Sequence, residues 1–186
     1  MTDIKKNFVD KNIVYIHGEF DESIIELLPK INDIVIAQKL LKAGKITFSI
    51  NSNGGYVHIL NSLLNIVEQA KKDGTIVETI VEDRAYSCGS QLACSGTIGH
   101  RFMSEYAEHL CHYGRGGFYP HTPEQVEREA GYLKRNFVNI KSRYKKYCEP
   151  TAQKGMLTKL FEKMKDDSFY IPAKECIKYG LVDKIL

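Results

Sequence analysis

The chain lacks the features that mark membrane, secreted and nucleic-acid-binding proteins. No apolar run in its 186 residues approaches the ~20 residues that a membrane-spanning helix needs. The polar start, Met1 to Asn7, shows no apolar signal core. Its five cysteines are odd in number and have no paired spacing, which is typical of cytosolic thiols. Because a net charge of +3 is too mild to indicate nucleic-acid binding, we expect a cytoplasmic protein with no membrane or nucleic-acid partner.

Two kinds of ligand motif are also missing. The Gly54-Gly55 pair lacks the G-x-G-x-x-G and G-x-x-x-x-G-K-[ST] patterns of phosphate-binding loops. His109, Cys111 and His112 lie close in sequence, but alternate side chains of a strand point to opposite faces. One segment therefore cannot direct all three side chains to one metal ion, and we expect no metal and no cofactor.

What is present is an alternation of strand and helix patterns in a chain of one-domain length. Strand followed by helix, repeated in order, predicts parallel βαβ units covered by helices, which is the α/β class. Ser23 could cap the first helix, and Pro29 should split or kink it. The predicted strands are 12–16, 45–50, 75–81, 97–103, 108–112 and 181–186, and the predicted helices are 22–43, 57–72, 89–95, 122–148, 151–165 and a short one from Pro172 to Gly180.

The predicted helix over 122–148 is too long for a small domain. Thr122, Pro123 and Gln125 form a strong helix start, and an apolar stripe continues from there for some seven turns. Such a helix measures ~40 Å, more than one small domain can cover. We expect an arm that packs on a partner, and the alternative is a helix folded back on its own domain.

The chemistry points to the turn around Ser87. This serine follows a strand and precedes a small-residue helix, and both it and the Gly54-Gly55 turn fall at the carboxyl ends of parallel strands, where ligands bind in such sheets. A hydroxyl, a histidine such as His112 as the base, and backbone N–H groups are the parts of an acyl-transfer site. Cys88 is a rival nucleophile, because a thiol ionises more readily at a helix N-terminus. The 166–168 turn, Asp-Asp-Ser, is a candidate for the carboxylate that orients the imidazole.

Four segments together resemble the proteolytic subunit of the Clp protease, a family of serine peptidases. The similarity covers roughly Asn12 to Leu186, and the serine-to-histidine interval is that of the family. The segments are Ser49-Ile50-Asn51-Ser52-Asn53-Gly54-Gly55-Tyr56-Val57, Ala85-Tyr86-Ser87-Cys88-Gly89, Leu110-Cys111-His112 with Gly116-Gly117, and Tyr179-Gly180-Leu181-Val182-Asp183.

The resemblance implies a crotonase-like α/β fold in a single domain, 1–186, with a short N-terminal segment, 1–11, and a protruding handle region over about 118–165. It implies a serine endopeptidase that acts on unfolded polypeptides or short peptides inside a homo-oligomeric ring, a heptamer or double heptamer. Ser87 would be the nucleophile and His112 the general base. The N–H groups of Gly55 and Cys88 would form the oxyanion hole.

The acidic member of the triad is less directly placed. Counting back without gaps from Tyr179-Gly180 puts the family aspartate on Ser168, whereas one inserted residue near Ile171-Pro172 brings Asp167 to that position. We expect Asp167 to complete the triad, with Asp166 as the fallback.

The chain departs from the family pattern at several points. Asn53 replaces proline, Cys88 replaces methionine in a backbone role, and Tyr113-Gly114 replaces Gln-Pro. About eleven residues precede Asn12, fewer than the family's N-terminal helix and axial loops occupy, so we expect an AAA+ unfoldase to dock differently or not at all. Two alternatives stay open, namely a non-catalytic or modulatory ring subunit and a crotonase-type acyl-CoA enzyme whose Gly-Gly turn polarises a thioester.

Overall fold

The computed structural model describes residues 7–41, 44–114, 122–166 and 168–186, without the side chain of Asp166. Within these ranges eight strands and six helices follow one another along the chain. They are β1 (Asn7–Asp10), β2 (Ile13–Ile16), α1 (Glu22–Lys39), β3 (Lys45–Ser52), α2 (Val57–Lys72), β4 (Ile76–Tyr86), α3 (Cys88–Cys94), β5 (Arg101–Met103), β6 (Glu108–Cys111), α4 (Pro123–Cys148), α5 (Met156–Asp166), β7 (Phe169–Pro172), α6 (Ala173–Cys176) and β8 (Lys184–Ile185).

The strands form one mixed sheet in the order β1-β2-β3-β4-β5-β8, with β6 beside β4 and β7 beside β6. All pairs from β2 to β6 and the β5–β8 pair are parallel, as the strand-helix alternation predicted. The antiparallel pairs are β1 with β2 and β6 with β7. The predicted α/β architecture is confirmed, with an antiparallel strand added at two places.

Strand β4 carries the chain from the core to the site. It was predicted to end at Val81 but continues to Tyr86, because its pairing changes partway. Residues 79–81 pair with β5, and residues 84–86 pair with β6. The exposed stretch 82–84 breaks the apolar alternation, yet backbone hydrogen bonds to β6 keep the strand intact.

The core lies between the sheet and helices α1, α2 and α3, which contact β3 and β4. Helix α2 buries seven residues on one face, as its 3.6-residue periodicity predicted. The fully buried side chains that fill this layer include Ile46, Phe48, Ile50, Ile59, Leu60, Leu63, Val77 and Val81. The strand ends on either side of β4 are therefore held on a rigid, apolar support.

Helix α1 differs from its prediction. It is continuous through Pro29, its N-cap is Asp21 rather than Ser23, and it ends at Lys39. An internal proline costs roughly 3 kcal/mol, but Ile24 and Ile31 on either side of it are fully buried. Packing of both halves on the core thus outweighs the lost hydrogen bond.

Several boundaries were also wrong. Strands β1 and β7 were not predicted, β5 begins at Arg101 rather than at residue 97, and α5 begins at Met156 rather than at residue 151. Each of the two missed strands has four residues and gains its hydrogen bonds from a neighbouring strand, so little of the signal is local.

Helix α4 has the predicted capping box between Thr122 and Gln125. Its buried residues are confined to the last nine positions, from Ile140 to Cys148. Before them, four large apolar side chains are more than a third exposed, namely Val126, Tyr132, Leu133 and Val138. The C-terminal half of α4 packs on the domain, from Phe137, which stacks on Tyr113, to Cys148, whereas the residues before it are mostly exposed. The handle region stays a prediction, and its residues 118–121 lie outside the described residues.

A buried arginine joins the end of the chain to the sheet. The Arg101 side chain is fully buried and pairs with Asp183. It also donates to the carbonyl oxygens of Tyr147 and Gly180, each at 2.9 Å. Burial alone would raise the pKa of Asp183, but the hydrogen bond and charge of Arg101 bring that pKa below its ordinary value. The Gly180-to-Asp183 motif thus binds the buried guanidinium group of Arg101.

Candidate active site

Ser87 lies on the turn between β4 and α3. Its backbone has φ 54° and ψ −112°, a conformation that is sparsely populated for a residue with a side chain. The Ser87 N–H donates to the carbonyl oxygen of Leu110 at 2.9 Å, which ties the turn to β6. A strained strand-to-helix turn of this kind presents a nucleophile above the sheet edge.

The imidazole of His112 lies against this hydroxyl. Its Nε2 atom is 2.7 Å from Ser87 Oγ, although the two residues are 25 positions apart. The pairing of β4 with β6 explains the contact, because Tyr86 lies opposite Leu110 in the parallel register. The two chain segments leave the same sheet edge side by side, so a nucleophile and a base meet within hydrogen-bonding distance.

The Gly54-Gly55 turn packs directly on Ser87. The two glycines have φ values of 97° and 144°, which favour glycine. A methyl group built on Gly54 would lie 2.7 Å from Ser87 Cβ and 3.2 Å from the amide nitrogen of Cys88. Only a residue without a side chain lets this turn approach the serine so closely.

Two amide N–H groups border the serine. Cys88 is the first residue of α3, and the N–H at that position has no acceptor within the helix. Gly55 forms a parallel bridge with Phe20, in which the neighbours Gly54 and Tyr56 make both hydrogen bonds at 2.8 Å. The Gly55 N–H therefore makes neither hydrogen bond of this bridge, and its pairing with the Cys88 N–H as an oxyanion hole stays a prediction.

The thiol of Cys88 does not behave as the sequence suggested. Its side chain is 1% exposed, and burial raises its pKa to about 11. The expectation of an easily ionised thiol at the helix start is wrong, because loss of hydration outweighs the helix. Instead the Cys88 Sγ donates to the carbonyl oxygen of Gly55 at 3.2 Å, so the side chain links the two predicted oxyanion-hole residues.

The acidic member of the predicted triad is not among the described groups. Asp167 and the side chain of Asp166 lie outside them, although the Asp166 backbone ends α5. Ser168, the ungapped alternative, is described and lines a cavity together with His112. The choice of Asp167 stays a prediction.

That cavity opens beside the imidazole of His112. It has a volume of about 360 Å³, and most of its wall is apolar. One lysine reaches its edge. The lining residues are His112, Tyr113, Gly114, Leu133, Phe137, Met164, Lys165 and Ser168. The cavity therefore presents a mostly apolar surface beside the Ser87–His112 contact.

A buried polar group lies behind the site. His109 Nδ1 and Cys111 Sγ both contact Ser90 Oγ, at 2.9 Å and 3.3 Å, while His112 reaches Ser87 on the other face, as strand alternation predicted. Burial lowers the pKa of His109 to about 3. Among the residues that the structure describes, no three His, Cys, Asp or Glu side chains are placed to hold a metal ion.

The contacts that three residues make at the site were not predicted, although Ser52 and Tyr113 both lie in segments that the sequence comparison with the family singled out. Phe20 anchors Gly54 and Tyr56 through its backbone, and Ser52 Oγ accepts from the Gly54 N–H at 3.1 Å. Tyr113, directly after the base, packs on two helices. A serine two residues before the glycine pair is a turn signal that could have identified Ser52, whereas the other two depend on distant contacts.

Comparison with known proteins agrees with this geometry. A sequence model of the Clp protease family matches residues 1–186. The chain belongs to the Clp protease family. It is 30% identical over 137 residues to the ATP-dependent Clp protease proteolytic subunit of Streptococcus mutans, an alignment that spans 74% of this chain and 66% of that protein. Identity to the subunits so named is 26% in Leuconostoc citreum and 27% in Streptococcus pyogenes serotype M1, with 99% of this chain covered and 87% and 89% of theirs.

Membership of the Clp protease family supports a peptidase activity and accounts for the mixed α/β fold. The serine hydroxyl and the imidazole described above are two of the groups that a serine mechanism uses, and the carboxylate that would complete the triad stays a prediction. In the part of the chain that the structure describes, no helix combines the length and the apolar character required to cross a bilayer.

Proposed function

We propose that this member of the Clp protease family is a serine endopeptidase that cleaves short peptides and unfolded polypeptides through an acyl-enzyme. The observation that carries the proposal is the 2.7 Å contact between Ser87 Oγ and His112 Nε2. The unfavourable backbone conformation of Ser87 supports it, because such strain tends to be kept at functional sites.

The chemistry follows from the positions of these groups. Ser87 Oγ attacks the peptide carbonyl carbon while His112 Nε2 takes the hydroxyl proton, and the carbonyl oxygen becomes negative. The N–H groups of Gly55 and Cys88 stabilise that oxygen. His112 then returns the proton to the leaving amine, and a water molecule, activated by the same imidazole, releases the acyl group.

We assign the orienting carboxylate to Asp167, from the family resemblance. Its role would be to hold the imidazole and to stabilise its charged form. The cavity beside His112 favours substrates with an apolar side chain next to the cleaved bond, because Leu133, Phe137 and Met164 form its wall.

We further propose that the protein works as a cytoplasmic ring oligomer, a heptamer or double heptamer. The exposed apolar residues of α4, such as Val126 and Val138, support an interface there. The relatives are named as subunits of an ATP-dependent protease. Degradation of a folded substrate, measured with and without an AAA+ unfoldase and ATP, tests whether such a partner is used.

The test compares wild type, Ser87→Ala and Ser62→Ala, the last a control on the exposed side of α2. Ser87→Ala should abolish both hydrolysis of fluorogenic peptides and labelling by a fluorophosphonate, with the elution volume unchanged. Ser62→Ala should resemble wild type. Full peptide hydrolysis by Ser87→Ala would exclude Ser87 as the nucleophile. Turnover of an acyl-CoA thioester that Ser87→Ala leaves unchanged would favour the acyl-CoA alternative, and an inactive wild type that still assembles would favour a non-catalytic ring subunit.

A further inference from the structure

We propose that Tyr113 is a positioning residue for the base, holding the segment that carries His112 against helices α4 and α5. The inference rests on the proposed function, since it concerns how the Ser87–His112 contact is maintained. The proposed role is particular to this chain, because the family has Gln-Pro after the base where this chain has Tyr113-Gly114.

The first contact is with α4. The rings of Tyr113 and Phe137 stack with their centroids 3.4 Å apart and their planes 18° from parallel. Both residues are half-buried, so the stack excludes water from one side of each ring. With centroids this close the rings lie face to face with little offset, so the pair is stabilised by the apolar area it buries rather than by the electrostatic preference for offset rings. The contact fixes the distance of residue 113 from α4.

The second contact is with α5. The Tyr113 hydroxyl donates to the carbonyl oxygen of Phe161 at 3.1 Å. Burial raises the pKa of Tyr113, so the hydroxyl keeps the proton it donates. One side chain is thus held by a ring contact at its face and a hydrogen bond at its tip, each from a different helix.

A cation holds the two helices at the same place. The ammonium group of Lys141 lies 5.6 Å from the ring centroid of Phe137 and 5.5 Å from that of Phe161. Both distances are within cation–π range. Phe137 and Phe161, the two partners of Tyr113, are therefore coupled to each other, and we refer to Tyr113, Phe137, Phe161 and Lys141 as the aromatic clasp.

The backbone near His112 needs such an anchor. The β6 ladder ends at Cys111, which pairs with Phe169. Gly114 follows with φ 85°, and a methyl group built on it would meet nothing within 4 Å. His112 lies between the end of the ladder and this open glycine. Contacts of the imidazole set the tilt of its ring, and the aromatic clasp sets the backbone from which the ring extends.

The experiment measures the second-order rate at which a small fluorophosphonate labels Ser87, from pH 5.5 to 9. The reagent has no peptide side chains, so its rate reports the nucleophile and base without substrate binding. Tyr113→Leu should lower the high-pH plateau by about tenfold, the loss expected for one aromatic contact and one hydrogen bond. Tyr113→Phe, which keeps the stack, should lose only about threefold.

Two comparisons separate positioning from general damage. Tyr106→Leu changes a tyrosine that is 93% exposed and should label at the wild-type rate. The double variant Tyr113→Leu/Phe137→Leu should label no more slowly than the slower single variant, because the stack that Phe137→Leu removes is already lost in Tyr113→Leu. All variants should share the wild-type elution volume.

Multiplied losses in the double variant, or a Tyr113→Leu rate within twofold of wild type, would overturn the proposal. A Tyr113→Leu loss that Tyr113→Phe does not recover would overturn the role of the stack. If wild-type Ser87 itself fails to label, the proposed peptidase function fails instead, and that result is distinct from any of these.

Discussion

Replacing Gly54 by alanine gives a direct measure of how closely the glycine turn must approach the nucleophile. The added methyl group would lie 2.7 Å from Ser87 Cβ and 2.9 Å from the carbonyl oxygen of Tyr86. Ordinary van der Waals contact begins at 3.4 Å, so the turn and the serine must separate by about 0.7 Å. Neither obstacle is the end of a flexible side chain, and the displacement therefore falls on the backbone that carries both predicted oxyanion-hole amides.

A displacement of this size should be costly for catalysis. Misplacement of reacting groups by about 1 Å can cost ~100-fold, and loss of one oxyanion-hole donor costs about 100- to 1,000-fold in turnover. We expect Gly54→Ala to lower kcat/KM on a fluorogenic peptide by about 100-fold. The fall should lie mainly in kcat, because the amides act on charge that develops in the transition state.

Gly74→Ala provides the matched control. Gly74 has φ 83°, close to the 97° of Gly54, but a methyl group there would meet nothing within 4 Å. Both variants place alanine at a positive φ, which costs each about 1–2 kcal/mol in unfolding free energy, and Gly54→Ala should lose more because of its steric overlap. Only Gly54→Ala adds the collision at the site.

The comparison is made on protein of wild-type elution volume, well below the thermal midpoints of both variants. If Gly54→Ala keeps kcat/KM within threefold of Gly74→Ala, the close approach of the turn to Ser87 is not needed for activity. That result would remove the Gly55 amide from the mechanism.

Two further predictions concern stability. Burial gives His109 a folded-state pKa of about 3 against an ordinary 6.5, so between these pH values the unfolded chain binds more protons than the folded one. The free energy of unfolding should therefore fall as the pH is lowered, by roughly 1 kcal/mol per pH unit. His109→Asn should flatten this slope in urea titrations from pH 6.5 to 4.5. Arg101→Met removes the guanidinium that pairs with the partly buried Asp183 and leaves this carboxylate with the backbone N–H groups of residues 99 and 101 as donors. It should cost about 3 kcal/mol in unfolding free energy, whereas Arg84→Met, at an exposed arginine, should change little.

A different outcome would contradict each of these two stability predictions. An unchanged pH slope in His109→Asn would mean that the imidazole is protonated or hydrated in the folded state. A loss in Arg101→Met no larger than that in Arg84→Met would mean that Asp183 finds another partner or takes up a proton.

The parts of the fold that could be predicted are those whose signal is local. Helix α2 repeats its apolar residues with helical periodicity, and α4 begins with a Thr122–Gln125 capping box. Strands β1 and β7 escaped prediction because each has four residues and depends on a partner strand elsewhere in the chain. Continuity of α1 through Pro29 likewise depends on core packing that no local rule contains.

The site divides in the same way. Ser87, His112 and Gly55 follow from motif order and spacing, because each lies just after a recognisable strand. The suppressed ionisation of Cys88 could not be foreseen, since it depends on how deeply the thiol is buried. The choice between Asp167 and Ser168 depends on one inserted residue, which a single sequence does not locate.

The backbone of Ser87 has a consequence for how this protein can change. A φ of 54° is a conformation that glycine adopts with little strain and serine does not. Exchange of the nucleophile for glycine should therefore give a protein that resists unfolding better than the active one while catalysing nothing. At this position a substitution that raises the thermal stability removes the catalytic hydroxyl, so selection for stability alone would favour glycine over serine.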